Sequence, residues 1–174
     1  MKKIKRKKGP VTSKVVSYDG IAFKSGLEKY MYKALKEAGI PAEYEKHTFE
    51  LLPSFTFKND CIERQANSKG DFINRGNKKV LNLKYTPDFV GDGFIIETKG
   101  RANDAFPLRW KMFKYLMTLT CDNRTLYKPQ NQAECDITVE LILKNQNKTY
   151  DKKETKVSRN ARRTKVSRNA RRTK

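Results

Sequence analysis

Residues 85–100 read YTPDFVGDGFIIETKG. Two short apolar runs, rich in aromatic and β-branched residues, flank Gly91-Asp92-Gly93, which is the composition of a hairpin. Strands of this kind ordinarily keep charge away from the core. Here Asp88, Glu97 and Lys99 break the rule at fixed spacing. If Asp92-Gly93 is a two-residue loop, for which type I′ is a preferred turn, Phe89 pairs with Ile96. The next step along the ladder sets Asp88 opposite Glu97. Their Cβ atoms would lie about 4.5–5.5 Å apart, a distance at which like charges destabilise a sheet. A period of two puts Lys99 on the face of Glu97, beside Thr86.

Two readings of this patch stand side by side. In one, Asp88 and Glu97 face solvent on an exposed hairpin, with Lys99 as a plain ion-pair partner. In the other, a divalent cation relieves the carboxylate repulsion. Oxygen donors of this type call for a hard ion, Mg²⁺ or Mn²⁺. Such an ion supplies Lewis acidity and an activated water for phosphodiester hydrolysis, and a nearby ammonium can orient that water or stabilise developing charge. The register is decisive, because a three-residue loop would move one group off the patch.

Outward from this stretch, VLNLKY (80–85) reads as a strand leading into it. Ala42–Leu52 alternates imperfectly and reads as another strand, with His47, the only histidine, as an ordinary strand residue. Residues 58–79 are polar and glycine-containing, a long loop or insertion. VVSYDGIAF (15–23) carries an Asp-Gly turn and reads as a short hairpin. A first helix follows, with Ser25 as N-cap and Glu28 three residues on, the pattern of a capping box. Leu27, Met31, Ala34, Leu35 and Ala38 form its apolar stripe, and Gly39 supplies the stop. After Gly100, Pro107 suits the first turn of a second helix whose apolar face is Leu108, Met112, Phe113, Leu116 and Leu119. Arg109, Lys111 and Lys114 lie on its other side. RTLYK (124–128) and DITVELIL (136–143) read as later strands. The expected order is α-β-β-β-α-β-β, an α/β class with a mixed β-sheet flanked by helices.

The 174 residues carry a formal net charge of +20. Residues 1–14 hold seven Lys/Arg and no acid, and residues 151–174 hold eleven against two. The span 15–150 is left with about +4, so the charge is concentrated in two arms flanking one expected domain. Basic arms poor in apolar residues point to a polyanion, and nucleic acid bound through counterion release is the natural partner. A membrane surface would want apolar residues among the basic ones, and MKKIKRKKG has only Ile4 beyond Met1. TKVSRNARR occurs at 155–163 and again at 164–172, a duplicated basic tail too short for a solenoid. Three cysteines without CxxC spacing indicate neither a disulfide framework nor a zinc site. No secretory or membrane-spanning segment is read, so the default is a soluble cytoplasmic protein, in a host cell if phage-encoded.

PDF…IIETKG, with Pro87, Asp88, Glu97 and Lys99, resembles the PD-(D/E)xK nuclease signature. FKSGLEKYMYKALKEAGIPAEYE (23–45), together with YTPDF and IETKG, is similar to the phage-type endonuclease I family of Holliday-junction resolvases, over roughly Phe23 to Gly100. RTLYK is a weaker later match. The resemblance implies a restriction-endonuclease-like core in a domain-swapped homodimer that cuts branched DNA with Mg²⁺ or Mn²⁺ and no small-molecule cofactor. It implies Glu28, Asp88, Glu97 and Lys99 as catalytic residues, with Glu28 reaching the partner chain's site. Asp88, Glu97 and the Thr98 backbone carbonyl would hold the metal. The long stretch from Glu50 to Tyr85, the arms and the tail exceed the family pattern. A related nuclease that nicks or cuts simple duplex DNA is therefore the alternative, followed by a non-catalytic nucleic-acid-binding protein. The latter explains the arms but gives no reason for the acidic patch.

Overall fold

Asp92 and Gly93 close the central hairpin as a two-residue loop, and the ladder they set is Phe89↔Ile96, Val90↔Ile95 and Gly91↔Phe94. In the computed structural model, which describes residues 14–65, 67–100 and 103–148, this register is the expected one. The turn type is not. Gly93 has φ 76° but Asp92 is not in the positive-φ region, whereas type I′ requires both. That geometry occurs instead at Asp19-Gly20, with φ 55° and 74°.

The elements run β1 (Val16–Tyr18), β2 (Ile21–Phe23), α1 (Gly26–Glu37), β3 (Ala42–Tyr44), β4 (Phe49–Leu52), β5 (Phe55–Phe57) and β6 (Ile62–Glu63). They continue with β7 (Ile73–Asn74), β8 (Lys78–Val80), β9 (Leu83–Tyr85), β10 (Phe89–Gly91), β11 (Phe94–Ile96), α2 (Phe106–Leu119) and β12 (Thr125–Tyr127). Residues 132–148 are helical, here α3. The class is mixed α/β. By contacts the chain divides into two compact units, Met1–Ile40 with Pro129–Lys174, and Pro41–Lys128. The basic arm and the tail repeat lie outside the described residues, apart from Lys14.

In the first unit, Ser25 caps α1 by accepting from the Glu28 amide at 3.2 Å. The helix ends on Gly39 at φ 67°, with Gly39 N–H bonded to Lys36 O and Ile40 N–H to Leu35 O. That pair of bonds is a Schellman motif. Met31, Leu35 and Ile40 are buried with Phe23 of β2. The expected strand 136–143 is helix instead. Its β-branched content misleads, because the buried positions are Cys135, Thr138 and Ile142, a helical period. Asn131 accepts from the Glu134 amide at 3.0 Å while the Glu134 carboxylate takes the Gln130 amide and the Asn131 side-chain amide, each at 2.8 Å, so a reciprocal side-chain cap starts the helix.

In the second unit a four-stranded sheet has the order β12-β11-β10-β3. β10 is antiparallel to both β11 and β3, and β11 is parallel to β12. Val90 and Ile95 form a core with Tyr85, Phe106, Trp110, Phe113 and Met117. The buried stripe of α2 is thus 106, 110, 113 and 117, which shares Phe113 with the expected face and has Leu116 of that face packed against it. Leu108 and Leu119 are exposed. Apolar residues surround this helix, so the pattern specified its inner face weakly; the bulk of Trp110 and Phe106 decides it.

The segment expected to be one strand, Ala42–Leu52, bends at Glu45 (φ 46°) into β3 and β4, and His47 lies in the connection. VLNLKY likewise splits into β8 and β9. The break at 81–82 faces Pro53-Ser54 across the ribbon, and Pro53 has no N–H for a ladder. Residues 58–79, expected as a loop, contain the paired strands β6 and β7 and the start of β8. From Phe49 to Tyr85 the chain is therefore one folded-back ribbon of three successive antiparallel pairs, β4–β9, β5–β8 and β6–β7.

Candidate functional site

The hairpin carries its apolar and charged residues in successive rungs. Val90 and Ile95 pair inside the α2-facing core, and one rung beyond Phe89↔Ile96 the same face presents Asp88 and Glu97. Both carboxylates are buried, at 8% and 5% exposure, so the solvent-facing reading of this patch does not hold. Lys99, two residues on, places its Nζ 3.5 Å from Glu97 Oε1. The ammonium also lies 4.8 Å above the Phe106 ring at the start of α2, a favourable cation–π position.

Each carboxylate is oriented by donors. Asp88 Oδ2 accepts from both the Thr98 amide and the Thr98 hydroxyl, each at 2.6 Å. The Asp88 carbonyl accepts from Glu45 N–H at 2.9 Å, tying the strand before the site to the bend after β3. Glu97 Oε2 accepts from the Tyr85 hydroxyl at 2.8 Å. Burial, and then the negative charge of Glu97, push the Tyr85 phenol well above its ordinary value, so it remains a donor. The Glu97 amide bonds Tyr127 O at 3.0 Å, which anchors β11 to β12 at this rung.

Sequence reasoning named Asp88, Glu97, Thr98 and Lys99, and all four meet here. It missed Tyr85 and Lys128. Tyr85 was taken only as the end of a strand; its role needs the neighbouring rung. Lys128 Nζ lies 6.0 Å from the same Phe106 ring that holds Lys99. Period two along RTLYK puts Lys128 on the face of the core residue Leu126, but only the parallel register Ile96↔Tyr127 brings that face beside Glu97.

Glu28 belongs to the first unit. Its Oε2 accepts from the Lys24 amide at 2.9 Å and its Oε1 from the Ser25 hydroxyl at 2.8 Å, and it is buried. Its visible work is the α1 cap.

The two buried carboxylates are hard oxygen donors, of the type that suits Mg²⁺ or Mn²⁺ rather than a thiolate-loving ion. Among the described residues there is no group of three or more His, Cys, Asp or Glu side chains that could hold a metal. An ion at Asp88 and Glu97 would therefore complete its shell with water, phosphate oxygens or groups from elsewhere, as Mg²⁺ commonly does. Among the described residues, no helix is long and apolar enough to cross a membrane.

The fold and these buried charges define a mixed α/β protein with a carboxylate-pair and lysine cluster at the end of a four-stranded sheet. The family model described as "Protein of unknown function (DUF1064)" matches residues 8–126, and the chain belongs to that family. No curated protein and no solved structure matches it.

Proposed function

We propose that this protein is a metal-dependent DNA endonuclease of PD-(D/E)xK type that hydrolyses phosphodiesters, with four-way or other branched DNA as preferred substrate. The observation that carries the reading is the hairpin rung itself. Asp88 and Glu97 are both buried, one residue beyond the Phe89↔Ile96 pair, and are held by Thr98 and Tyr85, with Lys99 3.5 Å from Glu97. An arrangement of like charges costs stability in a sheet, and a role in catalysis accounts for it.

In this reading Asp88, Glu97 and the Thr98 backbone carbonyl hold Mg²⁺ or Mn²⁺. The ion supplies Lewis acidity at the scissile phosphate and lowers the pKa of water. Thr98 fixes the rotamer of Asp88, and Tyr85 fixes that of Glu97. Lys99 orients the attacking water and neutralises charge that develops on the phosphate. Its ring contact with Phe106 limits where the ammonium can go. The basic arms neutralise flanking phosphates, which makes binding strongly salt-dependent. The working form is a domain-swapped homodimer in which Glu28 of one chain serves the site of the other. A carboxylate has about four lone-pair positions, so capping α1 and serving a site are compatible.

The decisive experiment compares cleavage of a four-way junction, a flap, a mismatch and plain duplex in Mg²⁺. Asp88→Asn and Glu97→Gln are expected to abolish cutting, while junction binding in EDTA survives. Absence of metal-dependent cutting of any DNA by the wild-type chain would falsify the catalytic claim and leave a binding protein. Preference for duplex over junction would transfer the activity to the simpler nuclease class. Mixing Glu28→Ala with Glu97→Ala chains under subunit exchange should restore one working site per heterodimer. No recovered nicking would count against the shared site.

A further inference from the structure

The Phe49–Tyr85 ribbon reverses the usual placement of residue types. Beyond Leu52 its apolar side chains point to solvent, with Phe72 63%, Ile62 53% and Phe55 43% exposed. Its polar groups, by contrast, bond within the ribbon. The Asn74 side chain accepts from the Cys61 and Gly76 amides and donates to Asp60. Arg75 donates to the Glu63 and Asp71 carbonyls. At Gly76 an added Cβ would come within 2.0 Å of Asn59 O, so the link between β7 and β8 lies directly against the one between β5 and β6. The tip is a built object, and its exposed aromatic residues are held in place by it.

An apolar surface rimmed by polar groups and left open to solvent marks a contact site. The register tells which groups a partner meets there. Phe55 pairs with Val80 and Phe57 with Lys78, so one face presents two rings beside an ammonium, and the other presents Thr56 and Lys79. Between Pro53 and Asn82 there are six Lys/Arg against the three acids Asp60, Glu63 and Asp71, and Asp60 is already engaged by Asn74. A second copy of this chain, at +20, would bring positive charge to a positive ribbon. A polyanion carrying flat apolar groups fits both features.

We propose that the ribbon is a docking surface for unpaired nucleotides, with Phe55, Phe57 and Phe72 stacking on bases and Lys78, on the face of Phe55 and Phe57, contacting a flanking phosphate. Aromatic side chains interleaved with basic ones are the physical requirement for holding single-stranded nucleic acid without sequence preference. The inference rests on the nucleic-acid reading above. It deepens that reading by naming the structural feature recognised: bases unstacked at a junction, flap or gap.

The test measures binding of a fluorescein-labelled oligo-dT and of a same-length duplex to the full chain in EDTA, by anisotropy across a salt series. Phe57→Ala and Phe72→Ala should each weaken oligo-dT binding roughly 5- to 150-fold. Duplex binding through the arms should change little. Lys78→Ala should flatten the slope of log K against log salt by about 0.7 for the single strand, whereas Lys79→Ala on the opposite face should change it less. Both lysines are exposed and serve as the control should an aromatic variant fold poorly, which circular dichroism would report. If the wild type binds oligo-dT and these variants bind it equally well, the ribbon assignment is wrong while the nuclease reading stands. If the variants change only the oligomeric state by light scattering, the ribbon is a contact between copies and the proposal is overturned. If the wild type binds no nucleic acid, both readings fail together.

Discussion

The central hairpin β10–β11 and the outer ribbon pairs β5–β8 and β6–β7 are all antiparallel strand pairs in the same unit, yet they depart from the usual burial pattern in opposite directions. The hairpin encloses Asp88 and Glu97 beside Phe89 and Ile96. The ribbon keeps Phe55, Phe57 and Phe72 in solvent and ties its polar groups together. Buried carboxylates and exposed phenylalanines both depart from the ordinary rule of apolar inside and charged outside. The two departures have different physical supports. The hairpin is flanked on both edges by β3 and β12 and covered by α2, so it can hold costly charges in fixed geometry. The ribbon has no such cover from its own pairings, so it displays rather than encloses.

Truncation should separate the two regions most sharply. Phe89→Ala, at a fully buried ring, is expected to destabilise by about 3–5 kcal/mol. Phe72→Ala on the ribbon should stay within about 0.5 kcal/mol. Denaturant midpoints at constant m-value check both, and equal losses would mean that the ribbon packs as core.

The polar side of the hairpin is tested by Tyr85→Phe. Deleting the hydroxyl removes a buried donor to Glu97 and should destabilise by about 1–3 kcal/mol. A cost near zero would show that Glu97 is held without it. In the nuclease reading the same variant should weaken Mg²⁺ binding, which calorimetry can read apart from cleavage.

Two glycines two residues apart sharpen the point within the hairpin. A Cβ on Gly91 would lie 2.2 Å from the ring of Phe94, itself buried, whereas one on Gly93 would meet nothing within 4 Å. Gly91→Ala should therefore cost about 1–3 kcal/mol by overpacking. Gly93→Ala should cost only the left-handed penalty of about 1–2 kcal/mol at φ 76°. Thermal unfolding of both variants tests this order.

The smallest expected effect lies at the sheet's edge. Hydrogen bonds from the Arg124 guanidinium hold Asp122 below the usual carboxylate range. A lowered folded value means the contribution is present above the unfolded value and is lost as pH falls through the folded one. Asp122→Asn should thus be slightly less stable than wild type at neutral pH and equal to it in strong acid. A gap that persists in strong acid would assign the loss to packing, including the Arg124–Phe49 contact at 5.5 Å.

Much of this was legible in sixteen residues. The Asp92-Gly93 loop, period-two alternation and the Pro-Asp…Glu-x-Lys spacing are local, so they gave the hairpin register and the facing carboxylates. Ser25, Glu28 and Gly39 bounded α1 for the same reason, since capping bonds span only a few residues. Where local signals competed, the reading failed. DITVELIL has strand-like composition, but the Asn131–Glu134 cap just upstream and the 135, 138, 142 burial period settle it as helix.

By itself the sequence determined which chemical groups this protein has and, through the hairpin, which of them share a rung. Tertiary structure alone decided that the rung is buried, that Tyr85 and Thr98 hold it, that Lys128 stands with Lys99 at the Phe106 ring, and that 58–79 is a ribbon. Those facts depend on strand neighbours and helix faces that meet only on folding. Burial and parallel register are properties of distant segments brought together, and no local pattern encodes them.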